Sequence, residues 1–341
     1  MVQQSAATPV DLAVVCVAMT DQVAEVSTSV LASIEKRDGR GGWVALEPGD
    51  QTSPRELSTG TAQGLHEKLR AGGCSIKISA GGSGANTLRM FAWLSHANSS
   101  CFLSAVGTDE SGSIFLNVLR EEGLDSVLPV RTGATGGAHI LVPPNGDRII
   151  VFDDDTALKR LATSADEVGV AFGPVLRQSR VAYLTGWLCA VMGGTARVAF
   201  DLAGANTVVA TNLSAEFLCK GSLFTDGLLT VLSGRVSVCF GNESEFGALA
   251  DSCGCDEPAT TVQTFPARPI EPQSIVDTTG AGDSFAAGFL ASLVKQRCRR
   301  NCEVDVKACA ELGATASWHT LQRSGFDLGS DNPAEEHVNR E

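Results

Sequence analysis

The chain has 341 residues, 43% hydrophobic and 19% charged, with 36 glycines and a formal net charge of −13. That composition belongs to a folded globular protein rather than a disordered one. The acidic surface repels nucleic-acid phosphates and anionic membranes, so neither is an expected partner, and any phosphate site needs its own local donors.

The first segment, MVQQSAATPVDLAVVCVAM, has no basic leader, and Asp11 interrupts its apolar run. It reads as a first β-strand over 11–19 rather than a signal peptide. No run reaches the ~18 apolar residues of a bilayer span, and a cytoplasmic location is expected. Residues 25–75 are polar, Gly-rich and without a clear period. Beyond them, apolar runs at 99–107, 180–187, 206–214 and 235–242 are interspersed with amphipathic segments at 84–97, 111–124 and 214–224. This alternation predicts βαβ units and an α/β fold, a mainly parallel sheet flanked by helices on both faces. AHILVPPNGDRIIVF (138–152) breaks the alternation: two β-rich arms around Pro-Asn-Gly-Asp predict a hairpin. With strands from 18–50 it would form a small accessory sheet over the strand ends. The polar residues 326–341 read as a fraying tail to one domain spanning 1–325.

Eleven cysteines, an odd number lying mostly in apolar runs, fit reduced buried thiols better than a disulfide framework. Cys253-Gly-Cys255 and the Cys298…Cys302 pair lack a second pair at finger-like spacing or a nearby His, so zinc ligation is not expected.

SIVDTTGAGDSFAAGFL (274–290) carries the chemistry. Phe285, Ala286, Phe289, Leu290 and Leu293 recur at helical spacing, so a helix starts near Gly282. Its first turn offers unpaired N–H groups and the positive end of the macrodipole, and Gly280, Ala281 and Gly282 leave those donors uncovered: an anion cradle. Asp283 lies in that field, is expected to stay ionised, and is placed to accept a hydroxyl proton. An anionic phosphoryl group on the donors and a hydroxyl on the carboxylate are the two halves of phosphoryl transfer. No G-x-x-x-x-G-K-[ST] loop is present, and no G-x-G-x-x-G follows the first strand, which argues against a dinucleotide-dependent oxidoreductase.

The string DTTGAGDSFAAGF resembles the second signature of the PfkB, or ribokinase-like, family of sugar and nucleoside kinases, with Asp277, Thr278 and Thr279 in register ahead of the cradle. The likeness runs from about 11 to 325 and leans to the adenosine kinase-like branch through ATNLSAEFL (210–218) and AGGSGANTLR. It implies a ribokinase-like fold with a small β lid drawn from 16–50 and 132–155, and transfer from ATP, with Mg²⁺, to a primary hydroxyl of a nucleoside or sugar by a monomer or homodimer. Asp283 would be the base and Gly280–Gly282 the anion hole. In KISAGGSGANTLRMFAWL, Gly81, Gly82 and Asn86 look like the acceptor-holding motif, and Asp21 falls where the family's sugar-binding Asp stands, although Cys16-Val17 replaces the usual Gly-Asn. Asn242 and Glu245 of FGNESEF match an N-x-x-E spacing that orders a hydrated Mg²⁺, with Glu243 as helper. On the residues alone, a plain helix start accounts for these three equally well. The family's adenine neighbourhood corresponds to 314–319.

The chain departs from the family between Glu245 and Asp277, where only residues 246–276 intervene. The family has a further helix, a strand ending in a Thr-x-Gly turn, and a hairpin there; a strand–helix–strand unit alone takes ~30 residues. Only TTVQTFPA (260–267) reads as a strand. A catalytically impaired member that binds a nucleoside or serves as an interaction module is therefore the alternative expectation.

Overall fold

A computed structural model describes residues 9–96, 99–124, 128–129, 133–144, 148–153, 156–161, 165–255, 262–298, 303–323, 325–329 and 332. In chain order the first elements are β1 (Val10–Val15), β2 (Met19–Glu25), α1 (Thr28–Leu31), β3 (Glu35–Arg37), β4 (Trp43–Ala45), β5 (Gln51–Thr52), α2 (Ala62–Ala71) and β6 (Ile76–Gly81). Next come α3 (Ser83–Ser95), β7 (Ser100–Ser104), α4 (Glu110–Glu121), β8 (Leu128–Pro129), β9 (Gly136–Val142), β10 (Ile149–Phe152), α5 (Ala157–Leu161) and α6 (Ala165–Leu176). The remainder is β11 (Ser179–Leu184), α7 (Gly186–Val191), α8 (Gly193–Leu202), β12 (Val208–Asn212), α9 (Leu229–Leu232), β13 (Val236–Phe240), α10 (Glu243–Cys253), α11 (Ala281–Arg297) and α12 (Val306–Leu321).

Six strands form a wholly parallel central sheet in the order β13-β12-β11-β1-β7-β8. Because successive side chains point to opposite faces, β1 feeds two cores. Ala13 and Val15 pack with Phe172, Leu176 and Phe200 of α6 and α8. Leu12 and Val14 pack with Phe91, Phe115 and Leu290 of α3, α4 and α11. Burial on both faces is why these strands read as continuous apolar runs rather than alternating ones.

A second sheet, β5-β10-β9-β2-β6, is the small accessory sheet, and it draws β5 and β6 from outside the expected 16–50 and 132–155. The predicted hairpin is its β9–β10 arm, paired antiparallel from Ala138↔Phe152 to Leu141↔Ile149; the Asn-Gly turn lies outside the described residues. Its outer face packs on α2 through Leu65, Leu69, Leu141 and Val151. Its inner face, Ala138, Ile140, Ile150 and Phe152, lines a cavity above the central sheet.

Three further expectations are corrected. The run 11–19 is two strands, because the chain leaves the central sheet after Val15 and enters the lid at Met19; the bend is buried, and Ala18 N–H donates to Ser104 Oγ at 2.9 Å, so no polar residue marks it. The segment 214–224 is not one helix: a 3₁₀ turn over Glu216–Cys219 and a π-helical stretch over Leu223–Leu228 are separated by Gly221 at φ +58°. Residues 262–267 carry no strand, and 260–261 lie outside the described residues; among the described residues the sheet ends at β13.

The packed chain continues past position 325. Phe326 and Leu328 join the α3/α11 core, and Asn332 donates to Trp93 O at 2.6 Å. Among the described residues no helix is long and apolar enough to cross a membrane.

Candidate active site

The helix start predicted near Gly282 is α11, whose N-cap is Gly280 at φ +75°. Only glycine takes that conformation without strain, and here it has a second reason: a Cβ would lie 2.5 Å from the Phe326 ring. Of the three expected cradle residues, Ala281 already donates its N–H to Thr278 O at 3.3 Å and is not in the cavity wall, whereas Gly280 and Gly282 are. A Cβ built on Gly282 would meet nothing within 4 Å outside its own helix, so the cavity wall is uncrowded at that residue.

Asp283 faces α3 across the cavity floor. Ser83 Oγ donates to Oδ1 at 2.6 Å and Asn86 Nδ2 to Oδ2 at 3.1 Å. Burial outweighs these bonds and pushes the Asp283 carboxyl up to about 6. The helix-end field expected to keep it ionised is therefore not the largest influence on it.

Asp21, on β2, is close enough for charge coupling. Burial first, and then the Asp283 charge, push it up to about 6, with the Arg89 charge and the Gly82 amide opposing. Gly81 makes room for it: a Cβ there would fall 2.0 Å from Asp21 Cγ. Gly82 turns the chain into α3 at φ +85°. Asp21, Gly82, Asn86 and Asp283 line one cavity of about 580 Å³, so residues separated by up to 262 positions meet at one place. Cys16, where the family pattern has Gly, is also in this wall; it accepts from Thr185 Oγ1 at 3.3 Å, and burial pushes its thiol up.

Asp277 and Thr279 form a buttress beneath the loop. Asp277 Oδ1 accepts from Thr279 N and Oγ1, and Oδ2 accepts from Gly325 N and from Arg148 at 2.9 Å. Burial works against the charge, yet these donors, Arg148 foremost, hold the carboxyl down at about 2. Thr278 is exposed and contributes its carbonyl to the turn.

Asn242 and Glu245 do line the same cavity, but as a capping box: Glu245 N–H donates to Asn242 Oδ1 at 2.8 Å, and Asn242 N–H to Glu245 Oε2 at 3.0 Å. Glu243 is exposed and is not in the wall. None of residues 314–319 lines it either; His319 is buried against Trp93 and meets Leu328 O at 2.7 Å. Among the described residues no group of three or more His, Cys, Asp or Glu is placed to hold a metal ion; Cys253, Cys255 and Cys298 are exposed free thiols.

Sequence reasoning missed three contributors. Ser83 lay inside the quoted GGSGAN motif, and its i,i+3 relation to Asn86 on one helix face was the available signal. Arg148, at the foot of β10, also donates to Thr279 Oγ1 at 2.5 Å and so ties the lid to the loop before α11. Trp187 stands edge-on to Phe152 (5.0 Å) and Phe217 (5.6 Å), an aromatic wall from three distant segments with no local signature.

At the β13 edge of the central sheet, Phe240 packs with Phe285 and Phe289, and Phe246, Val262, Ile275 and Val276 are exposed.

The family model for pfkB family carbohydrate kinases matches residues 71–267 and 259–333. The adenosine kinase of Saccharomyces cerevisiae is 26% identical over 290 residues, 75% of this chain and 81% of that one. Fructosamine kinase FrlD of Bacillus subtilis is 28% identical over 260 residues, 69% and 85% of the two chains. In three dimensions the chain is similar to adenosine kinase from Schistosoma mansoni in complex with 2-fluoroadenosine, with a TM-score of 0.74 at 18% identity over 95% of this chain and 98% of that one. The ribokinase-like fold is thereby shared.

Proposed function

The chain belongs to the pfkB family of carbohydrate kinases, and from that premise we propose that it transfers the γ-phosphoryl group of ATP to a primary hydroxyl of a nucleoside, with Asp283 as general base. The supporting observation is the position of Asp283: its carboxyl is held by Ser83 and Asn86 on the acceptor side while its own helix begins at the Gly280–Gly282 turn. Asp283 takes the hydroxyl proton as the acceptor oxygen bonds to the γ-phosphorus and the bond to ADP breaks; the Gly282 amide and the positive end of α11 balance the transferred charge, the Ala281 amide being turned to Thr278.

A carboxyl near 6 is ionised at neutral pH and more basic than an ordinary aspartate, which suits that task. Asp21 and Asn86 would orient the acceptor's hydroxyls. The wall of Trp187, Phe152 and Phe217 favours an acceptor with a flat base over a bare sugar, because an aromatic face is buried well only against another apolar surface. Glu245 and Asn242 would hold a hydrated Mg²⁺ through water, the coordination that ion prefers, and the bound ion neutralises phosphate charge.

One observation favours a second reading, a member impaired in ATP use: no strand follows β13 among the described residues, and Val262, Ile275 and Val276 are left exposed. ADP release from Mg²⁺-ATP with adenosine, other nucleosides, ribose and fructose separates the two. The expected result is nucleoside-dependent release, reduced in Asp283→Ala by about 10²–10⁴-fold. Nucleoside binding by calorimetry with no turnover on any acceptor would establish the impaired reading instead.

A further inference from the structure

Away from the acceptor site, α6 and α8 both begin at a separate cavity of about 580 Å³. Ala165 of α6 lines it, as do Gly193, Gly194 and Thr195, the whole first turn of the ten-residue α8. The N-cap of α8 is Met192, which provides no capping side chain; the amides of Gly193, Gly194 and Thr195 have no partner further back along the helix. A Cβ on Gly194 would meet nothing within 4 Å, so the turn opens into free space. Gly193 is fixed from behind, since a Cβ there would lie 2.8 Å from Asp226 O.

Thr195 supplies an independent sign of a ligand. It is only 7% exposed and lines the cavity, and its hydroxyl has no hydrogen-bond partner among the described residues. The hydroxyl oxygen itself keeps some accessible surface, so it is open to the cavity and can bond a group held there. Lys159 is part of the same wall, and Val168 and Val198 make its remainder apolar. Asp166 and Glu167 on the first turn of α6 are exposed and outside the wall.

We infer that this cavity is a second ligand site, for a phosphomonoester carrying a small apolar group. Backbone amides of the α8 first turn, the Thr195 hydroxyl and the Lys159 ammonium group receive the phosphate oxygens, and the valines take the apolar part. The α8 N-terminus favours an anion there despite the overall charge of −13. Lys159, Val191 and Met192 also line a pocket of about 310 Å³ that shares Met19, Phe152, Trp187 and Phe217 with the acceptor cavity, so the new site stands one side-chain layer from the acceptor.

The test is an amide-resolved NMR titration of the ¹⁵N-labelled full chain with phenyl phosphate, with phenol and inorganic phosphate as separate arms. The expected result is saturable shifts of the Gly193, Gly194 and Thr195 amides with Kd of about 1 mM or tighter, weaker ones with inorganic phosphate, and none with phenol. Thr195→Val weakens binding roughly 10-fold, and Gly194→Asp, which places a carboxylate in the cavity, abolishes it; both leave basal turnover unchanged. If only Gly280 and Gly282 respond, if phenol shifts the same amides equally, or if both variants bind like the parent, the site does not exist.

Discussion

Asp283 and Asp21 titrate near 6 in the folded protein against an ordinary 3.8. Between those pH values the folded state holds more protons than the unfolded chain, so the contribution of each to stability falls as pH rises from about 4 to about 6 and remains unfavourable above that. Asp283→Asn, which removes the buried charge and keeps the shape, should raise Tm by a few degrees at pH 7.5 with no gain near pH 4, while kcat falls at least about 100-fold. In the parent, kcat/KM should rise with pH through about 6 as a joint property of the two carboxyls. A profile flat between pH 5 and 8 would remove Asp283 from the base role. Gly81→Ala separates positioning from folding. The added methyl meets the Asp21 carboxyl, its Cγ at 2.0 Å, and displaces that side chain rather than backbone, so acceptor KM should rise about 10-fold or more with a smaller effect on Tm. An unaltered KM would mean that Asp21 does not touch the acceptor.

At the scale of elements, the site is a junction between the lid and three helix starts. Arg148 spans it, reaching Asp277 and Thr279 with two guanidinium nitrogens. A charge-assisted, two-acceptor contact of this kind orders one element against another, and a point-charge ammonium does not reproduce it. Arg148→Ala and Arg148→Lys should each lower kcat/KM about 10-fold through poorer lid closure. Tm should change little, because the Arg148 side chain is 41% exposed and Asp277 retains its Thr279 and Gly325 donors. Stopped-flow acceptor binding beside steady-state kinetics checks this; parental rates in both variants would show that the lid closes without the tie. The chain's short 246–276 interval is likewise an element-scale matter, since it decides whether β13 ends the sheet.

At the scale of the whole molecule, the central sheet carries two cores whose roles differ. The β1 residues Leu12 and Val14 face the helices that bear Asn86 and Asp283; Ala13 and Val15 face α6 and α8. Phe200→Ala, in the second core, should cost about 3–5 kcal/mol in urea unfolding and leave acceptor KM unchanged. A loss of acceptor affinity with stability intact would mean that the two faces are coupled through the sheet.

Legibility followed the range of the forces involved. The parallel sheet, the β9–β10 hairpin and the start of α11 were readable in the sequence, since apolar runs, turn residues and a glycine-rich helix entry act over a few neighbouring positions. The DTTGAGD string identified the candidate base for the same reason. Local pattern did not reveal that the run 11–19 crosses between two sheets, because both halves are buried and burial looks alike in either. Nor did it reveal that Ala281 N–H is turned to Thr278, that Arg148 reaches across 129 positions to Asp277, or that Trp187 meets Phe152 and Phe217. The pKa values near 6 belong to this second kind: the sequence specified two carboxylates, and their shared burial, which arises only when β2, α3 and α11 close around one cavity, set how tightly each holds its proton.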